Sequence, residues 1–299
     1  METLDTMKYK NLVAGDMKIA TENITIPSGN SYKAGSVLGK KTASVGSPSA
    51  GGGNTGNGTI SNERAEVNTK VGTYSLECVT ALTDGGTFSV TDPDGNSLPN
   101  AKVGSYSGTG DGTLTNARLG NEGKDGYYSV KCTSAATNSG TFEVTDPDGN
   151  SLGSVTIPAG AGNSVDFNHE QIKFKLTDGS TDFILNDEFT IAPYRHDQIS
   201  FDIRDGSTDF VIGDTFTIAV TAGSNDCVIV DSDLSNGAQN PYCVLAEDVD
   251  ASTESKEAVG YLTGQFNRNI MYVGGDDKLS DHEADLRKLS IFAIDVSEG

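Results

Sequence analysis

The sequence of 299 residues contains no tryptophan and only four cysteines, Cys78, Cys132, Cys227 and Cys243. Four widely spaced cysteines are too few for a disulfide-stapled scaffold. No apolar run is long enough to span a bilayer, and the first residues, METLDTMKYKNL, lack the apolar core of a secretory signal peptide. These absences predict a protein that is neither embedded in a membrane nor exported by the general secretory route.

Basic residues are also scarce, because 21 lysines and arginines stand against 42 aspartates and glutamates, which gives a formal net charge of −21. A surface this acidic repels the phosphates of nucleic acids, and its self-repulsion favours solubility. We therefore expect no nucleic acid among the partners of this protein.

Glycine is abundant, with 36 residues, and short runs of Thr, Val, Ile, Phe and Tyr lie between clusters of Gly, Asn, Asp and Ser. Such runs are typical of short strands joined by tight turns, so the predicted fold class is mainly β. Apolar residues alternate with polar ones at Tyr74, Leu76 and Cys78, as on a half-buried strand, and the same pattern returns around Cys132. Both cysteines are therefore predicted to be small buried hydrophobic residues.

Two duplications run through the middle of the chain. Residues 56–98 match residues 110–152 without a gap, down to a shared ending TDPDGNSL. A second pair follows, IKFKLTDGSTDFILNDEFTIA from Ile172 and ISFDIRDGSTDFVIGDTFTIA from Ile199. Regular copies of this kind indicate modular β units. We predict two small antiparallel, Ig-like β-sandwich modules over residues 56–109 and 110–221, with both copies of the second duplication in the second module.

The segments on either side of the modules differ from them in composition. Residues 1–50 and 222–299 are predicted to form one small β-rich domain that residues 51–221 interrupt, since insertions are tolerated at exposed loops. The glycine-rich stretch SPSAGGGNTGNG is typical of a flexible linker at the point of insertion.

The second flank contains a helix signal near the end of the chain. Ser280-Asp281-His282-Glu283 has the capping-box pattern, which predicts one helix over about residues 281–288. A strand over residues 291–296 is predicted to end the fold.

The flanks carry a family resemblance. The segments AGDMKIATENITIPSGNSYKAGSVLGKKT, NPYCVLAEDVDAS and GYLTGQFN, in this order and with the ending DLRKLSIFAIDV, resemble the lambda-type bacteriophage head decoration proteins. The inserted TDPDGNSL and DGSTDF signatures are similar to repeats inside other phage head decoration proteins. The resemblance therefore covers nearly the whole chain.

This resemblance implies a structural, non-enzymatic protein that needs no cofactor. It implies a homotrimer at three-fold positions on the outer surface of the virion, where it would bind the major capsid protein and resist internal DNA pressure. It also implies an N-terminal arm that becomes ordered on the capsid, as an added strand at a sheet edge, although a frayed terminus is an equally good interpretation of this polar segment. The capsid-contact candidates in the arm are Glu2, Thr3, Leu4, Met7, Tyr9, Asn11 and Leu12.

Catalytic and metal-binding patterns are weak, and no catalytic or metal-ligating residue is predicted. The three histidines lie in different segments without the spacing of a zinc site; they are His169, His196 and His282. The Asp-Pro-Asp-Gly-Asn segments that begin at Asp92 and Asp146 favour hairpin turns, although calcium binding stays open there because this ion prefers oxygen ligands. A disulfide between Cys227 and Cys243, or across subunits, also stays open.

A second function stays open beside capsid decoration. The Ig-like insert would then be an outward-projecting binding module for a host-surface glycan or another ligand. No cluster of aromatic residues marks a glycan platform in the modules, which favours the structural function. A secreted bacterial adhesin built of Ig-like repeats is a third interpretation, which the missing signal peptide disfavours.

Overall fold

The structure is a computed structural model that describes residues 12–296. It divides the chain into two compact units. The first, which we call the flanking unit, combines the chain up to Ser44 with the chain from Ala222 onward. The second, which we call the inserted unit, comprises Val45–Thr221.

Strands dominate the described residues, which confirms the mainly β fold class. In chain order the strands are β1 (Thr21–Ile26), β2 (Asn30–Tyr32), β3 (Val37–Lys40), β4 (Ala43–Val45), β5 (Ser49–Ala50), β6 (Thr59–Ala65), β7 (Gly72–Leu82), β8 (Gly85–Thr91), β9 (Ser97–Ser107), β10 (Thr113–Leu119), β11 (Tyr128–Ala136), β12 (Ser139–Thr145), β13 (Ser151–Ile157), β14 (Ser164–Asn168), β15 (Ile172–Thr177), β16 (Glu188–Ile191), β17 (Tyr194–Arg195), β18 (Ile199–Arg204), β19 (Thr215–Ala222), β20 (Cys227–Ile229), β21 (Pro241–Leu245), β22 (Val249–Ala251), β23 (Lys256–Tyr261), β24 (Gly264–Asn267) and β25 (Ile291–Ile294). A 3₁₀ helix over Arg268–Ile270 and the α-helix α1 (Leu279–Lys288) lie between β24 and β25.

The flanking unit is built around a five-stranded antiparallel sheet in the order β1-β23-β21-β3-β20. An antiparallel pair, β2–β22, and a parallel pair, β24–β25, accompany it. Neighbouring residues on a strand point to opposite faces. Val37 and Val244 therefore share one apolar cluster with Leu286 of α1, whereas Leu38 and Cys243 belong to another. The central strands of this sheet are buried on both faces.

Helix α1 begins earlier than predicted, at Leu279. The carboxylate of Asp281 accepts a hydrogen bond from the backbone N–H of Lys278 at 2.9 Å. The predicted capping box at Ser280 is therefore wrong. Asp281 lies within the first turn, where a carboxylate satisfies an N–H that the helix leaves without a partner and suits the positive end of the helix dipole. The following strand, β25, ends at Ile294 and not at residue 296.

Cys227 and Cys243 lie in the same unit, on the strands that flank β3. Both are buried free thiols. The two thiols hydrogen-bond to each other, which together with burial raises the pKa of Cys243. The disulfide that the sequence left open is thus not formed in this structure.

In the inserted unit, strands β10 to β16 form a module of two sheets. One sheet has the order β16-β11-β12-β13 and continues through β9 into a larger sheet, and the other has the order β10-β15-β14. Their inner faces share one apolar core, which includes Tyr128 and Phe142 from the first sheet and Phe174 from the second. Phe183, in the loop before β16, closes the core through an edge-to-face contact with Phe142, with 4.9 Å between ring centroids.

The strand pairing gives each module one copy of the second duplication. Strands β15 and β16, from the first copy, pair with β10 and β11. Strands β18 and β19, from the second copy, pair with β6 and β7, which lie far earlier in the chain. The expectation that both copies belong to the second module is therefore wrong. The module of β10 to β16, which we call the inner module, is nested inside the outer module of β6 to β9 and β17 to β19.

Cys78 and Cys132 occupy matched positions in the two modules. Both are buried free thiols, and they pair in register with Phe88 and Phe142 on the neighbouring strands. Their burial agrees with the alternation seen in the sequence, and each side chain fills core space as a small apolar group would.

We expect Cys78→Val to change the free energy of unfolding by less than about 1.5 kcal/mol, because the swap nearly conserves volume. The substitution removes a weak hydrogen bond from Sγ of Cys78 to the carbonyl of Thr80, at 3.5 Å. Thermal unfolding with and without a reductant measures the effect, and Cys132→Val is the matched variant in the inner module. A melting temperature that falls on reduction in the wild type but not in the variant would show that Cys78 forms a disulfide.

Candidate functional site

The described chain begins at one edge of the flanking unit, beside strand β24. Val13 forms an isolated antiparallel bridge with Phe266, whose side chain is fully buried. The N–H of Asn267 donates a hydrogen bond to the carbonyl of Leu12 at 2.9 Å. These contacts fix the positions of Leu12 and Val13, the first described residues, beside β24.

Among the capsid-contact candidates, Leu12 lies within the described residues, and its side chain packs partly buried against the cluster that contains Phe266 and Met271. The other candidates lie outside the described residues; they are Glu2, Thr3, Leu4, Met7, Tyr9 and Asn11. Capsid contact by all seven stays a prediction.

Charged side chains support the segment that follows β24. Arg268 forms ion pairs with Glu283 of α1 and, at 3.0 Å, with Asp295 after β25. The hydrogen bond to Glu283 is the largest cause that raises the pKa of Arg268. The helix and the last described residues are thereby tied to the 3₁₀ helix that follows β24.

A hydrogen-bonded group of Ser232, Asp277 and His282 links α1 to the loop after β20, and the side chains of Asp277 and His282 in it are buried. Nε2 of His282 lies 2.8 Å from Oδ2 of Asp277, and the hydroxyl and the N–H of Ser232 each donate to the same carboxylate at 2.6 Å. Burial alone would raise the pKa of Asp277, but the bonds to His282 and Ser232 outweigh it and hold that pKa well below its usual range. These are the residue types of a hydrolytic triad, yet the serine hydroxyl donates to the aspartate, so its proton is directed away from the histidine. The geometry is that of a structural clasp on the helix.

The other two histidines stabilise turns in the inserted unit. Nδ1 of His169 accepts a hydrogen bond from the N–H of Gln171 at 3.1 Å, and Nδ1 of His196 accepts one from the N–H of Gln198 at 3.3 Å. Each contact spans two residues of the chain and closes the turn that leads into the next strand. The ring of His169 also stacks on Phe167, and Nδ1 of His196 also lies 2.8 Å from a carboxylate oxygen of Asp197.

Lysine ammonium groups occupy the turns that the sequence left open for calcium. Nζ of Lys70 lies 2.6 Å from the buried carboxylate of Asp92 and 2.7 Å from the exposed carboxylate of Asp94. The hydrogen bond from Lys70 is the largest cause that lowers the pKa of Asp92. Lys124 makes the same pair of contacts in the inner module. The chain itself thus supplies the cation at these turns, and the hairpin interpretation accounts for them.

Two buried aspartates that the sequence analysis did not single out hold the start of each module. The carboxylate of Asp214 accepts hydrogen bonds from the N–H groups of Thr55, Gly56 and Val211 at 2.8, 2.9 and 3.0 Å. Burial would raise the pKa of Asp214, but these donors outweigh it and lower it. Asp187 does the same in the inner module. The available signal was an aspartate at the same place in both copies of the second duplication.

A match to a protein-family model decides the family. The model of the bacteriophage lambda head decoration protein D matches residues 6–291, across both flanks and the inserted unit. The chain belongs to this family. Head decoration proteins are structural proteins of phage capsids, so membership gives the chain a capsid decoration role and a location in the virion. No curated protein and no solved structure matches the chain significantly. Within residues 12–296, helices of the length and apolar character needed to cross a bilayer are not found.

Proposed function

We propose that this head decoration protein is a capsid cement. It binds the major capsid protein on the outer surface of a tailed-phage head as a homotrimer, and it stabilises the filled head against internal DNA pressure. The observation that carries the proposal is the family match, which extends over nearly the whole chain and includes both flanks.

In this proposal the flanking unit makes the capsid contacts. The segments of the flanks that resemble decoration proteins lie in this unit, and Leu12, the last residue of the predicted arm, and Val13 bond to residues of β24. An arm that continues in an extended conformation can add a strand to the edge of a capsid sheet, where main-chain hydrogen bonds supply affinity. Many modest contacts of this kind, repeated around a symmetric shell, make the layer stable through avidity.

We also propose that the modules are Ig-like sandwiches that make no contact with the major capsid protein. The inner module supports this classification, because its two facing antiparallel sheets share a core of alternate residues from each strand. The family match favours the structural function over the alternative that the modules bind a host-surface glycan.

The direct test is binding of the full-length protein to expanded phage heads that lack their decoration protein. We expect co-sedimentation that saturates at three copies per three-fold position, and cryo-electron microscopy should show trimers on the outer surface. Decorated heads packed with DNA should retain it at temperatures that empty undecorated heads. Heads of an unrelated phage are the control. Failure to bind heads of the phage that encodes the protein, or binding without any gain in head stability, would contradict the cement function.

Excision of the inserted unit tests which part binds. The N–H of Gly223 donates a hydrogen bond to the carbonyl of Thr42 at 3.0 Å, and the N–H of Asn225 donates one to the carbonyl of Lys41 at 2.9 Å. The points at which the chain leaves and re-enters the flanking unit are therefore adjacent. We expect a variant with residues 45–221 replaced by a short Gly-Ser linker to fold and to bind heads, because loop-closure entropy changes only slowly with loop length. Circular dichroism and co-sedimentation measure the two properties. A folded variant that no longer binds would place the modules in the cementing surface.

A further inference from the structure

The motif Asp-Gly-Ser-Thr-Asp-Phe occurs twice in the inserted unit, over residues 178–183 and 205–210. Its phenylalanines belong to the cores, since Phe183 packs on Phe142 and Phe210 packs edge to face on Phe88 at 5.0 Å between centroids. Core packing explains the last residue of the motif. It does not explain the two aspartates, whose carboxylates lie in each module beside the hairpin that joins its second and third strands.

In the outer module, the aspartates of the motif meet a third carboxylate from that hairpin. The carboxylates of Asp84, Asp205 and Asp209 converge, and one oxygen of each lies within 4.8 Å of one oxygen of both others. Oδ1 of Asp209 accepts a hydrogen bond from the N–H of Asp84 at 3.2 Å. Both carboxylate oxygens of Asp205 are closed off from solvent and accept no hydrogen bond of standard geometry. Burial, and then the neighbouring Asp209, raise the pKa of Asp205 to about 6.

The inner module repeats this arrangement with a more deeply buried aspartate. Asp178, the counterpart of Asp205, is only 4% exposed, and neither of its carboxylate oxygens accepts a hydrogen bond of standard geometry. Oδ1 of Asp182 accepts a bond from the N–H of Asn138 at 2.7 Å, just as Asp209 does from Asp84. Burial, and then Asp182, raise the pKa of Asp178, with a smaller contribution in the same direction from Asp111.

A buried carboxylate without hydrogen bonds is costly unless a cation or a proton compensates it. At the Asp92 turn, Lys70 supplies the compensating positive charge. Among residues 12–296, neither Asp84 nor any aspartate of the two motifs forms an ion pair with a lysine or arginine. The same buried carboxylate, without a hydrogen bond of standard geometry, thus recurs at the equivalent position of both duplicated modules. Converging carboxylate oxygens are the ligands that calcium prefers.

We propose that each Asp-Gly-Ser-Thr-Asp-Phe loop, together with its hairpin, binds a calcium ion. In the outer module the ligands are Asp84, Asp205 and Asp209. In the inner module they are Asp178 and Asp182, with Asn138 in the place of Asp84. The outer site is the tighter one, because three carboxylates converge there. Each ion ties a hairpin to the loop before the last strand of its module, so it stabilises that module. This inference does not depend on capsid binding.

The test uses the full-length protein, first dialysed against a calcium chelator. Calorimetric titration with calcium chloride should show two sites of unequal affinity, and thermal unfolding should shift to higher temperature as calcium is added. Magnesium chloride should have a weaker effect, because that ion demands near-ideal octahedral geometry. No binding heat and no thermal shift up to roughly 10 mM calcium, beyond the range of weak extracellular calcium modules, would overturn the proposal.

The duplication supplies matched variants that should fold. Asp84 and Asn138 both have left-handed backbone, with φ of 51° and 49°, so each residue type is already accommodated at this position. Asp84→Asn should weaken the outer site about tenfold or more, since affinity follows the charge of the ligands. Asn138→Asp should tighten the inner site by a similar factor. Asp125→Asn, at a carboxylate that is 90% exposed, is the control and should change neither site.

Variants of the buried aspartates distinguish two ways of compensating their charge, a bound metal ion or a proton. Asp178→Asn and Asp205→Asn should each remove one calcium site, so that calcium raises the melting temperature of each variant less than that of the wild type. If the carboxylates are compensated only by protons, both variants will be more stable than the wild type by the same amount with and without calcium. That result would overturn the proposal even if the protein bound calcium elsewhere.

Discussion

Asp214→Ala is expected to lower the free energy of unfolding of the outer module by about 3–5 kcal/mol. The substitution leaves the N–H groups of Thr55, Gly56 and Val211 without their acceptor in a buried site. Each unsatisfied buried donor costs about 1–3 kcal/mol, and partial solvation limits their sum. Asp187→Ala should have the same effect on the inner module, because Asp187 holds Thr109 in the same way.

Chemical denaturation of the variants and of the wild type measures this loss. Glu77→Ala is a matched control, since Glu77 lies exposed on β7 in the same module. Asp214→Asn should lose less stability than Asp214→Ala, because its amide oxygen still accepts one or two of the bonds. Equal stability of Asp214→Ala and Glu77→Ala would show that the carboxylate does not hold the start of the module.

The same contacts give this stability a pH dependence. The pKa of Asp214 is lower in the folded state than in the unfolded state. The contribution of Asp214 to the free energy of unfolding is therefore complete above the unfolded-state pKa of about 4, and it is lost as the pH falls through the folded-state pKa. Acid should therefore destabilise the wild type more than Asp214→Ala below about pH 4.

Deletion of residues 2–11 is expected to abolish stable occupancy of the protein on phage heads while leaving its melting temperature unchanged. The proposed arm supplies main-chain hydrogen bonds to the capsid, and a symmetric shell multiplies the loss at every position. Residue 12 is retained in this variant, because the carbonyl of Leu12 accepts a hydrogen bond from Asn267 and its partly buried side chain packs against an apolar cluster of the flanking unit.

Co-sedimentation with undecorated heads measures occupancy, and thermal unfolding of the free protein checks the fold. A variant in which a Gly-Ser segment of equal length replaces residues 2–11 separates the sequence of the arm from its mere presence. Leu12→Ala is the opposite control, since it should lower the melting temperature before it affects binding. Full occupancy by the truncated protein would place the capsid contacts elsewhere in the chain.

The amino-acid sequence was sufficient to predict the mainly β class, the duplications and the inward positions on the strands. Alternation is a local property, so Cys78 and Cys132 could be placed in a core without knowledge of the partner strands. The order of weak motifs in the flanks likewise indicated the decoration family, which the match over residues 6–291 confirmed.

The assignment of each copy of the second duplication to its module required the tertiary structure. Strands β15 and β18 have apolar residues at the same alternate positions, so no local pattern can assign either of them to β6 or β10. Strand pairing is a non-local choice, made by packing and chain closure together. The clusters of carboxylates were not predictable for the same reason, because Asp84 and Asp209 meet only through the long-range pairing of β19 with β7.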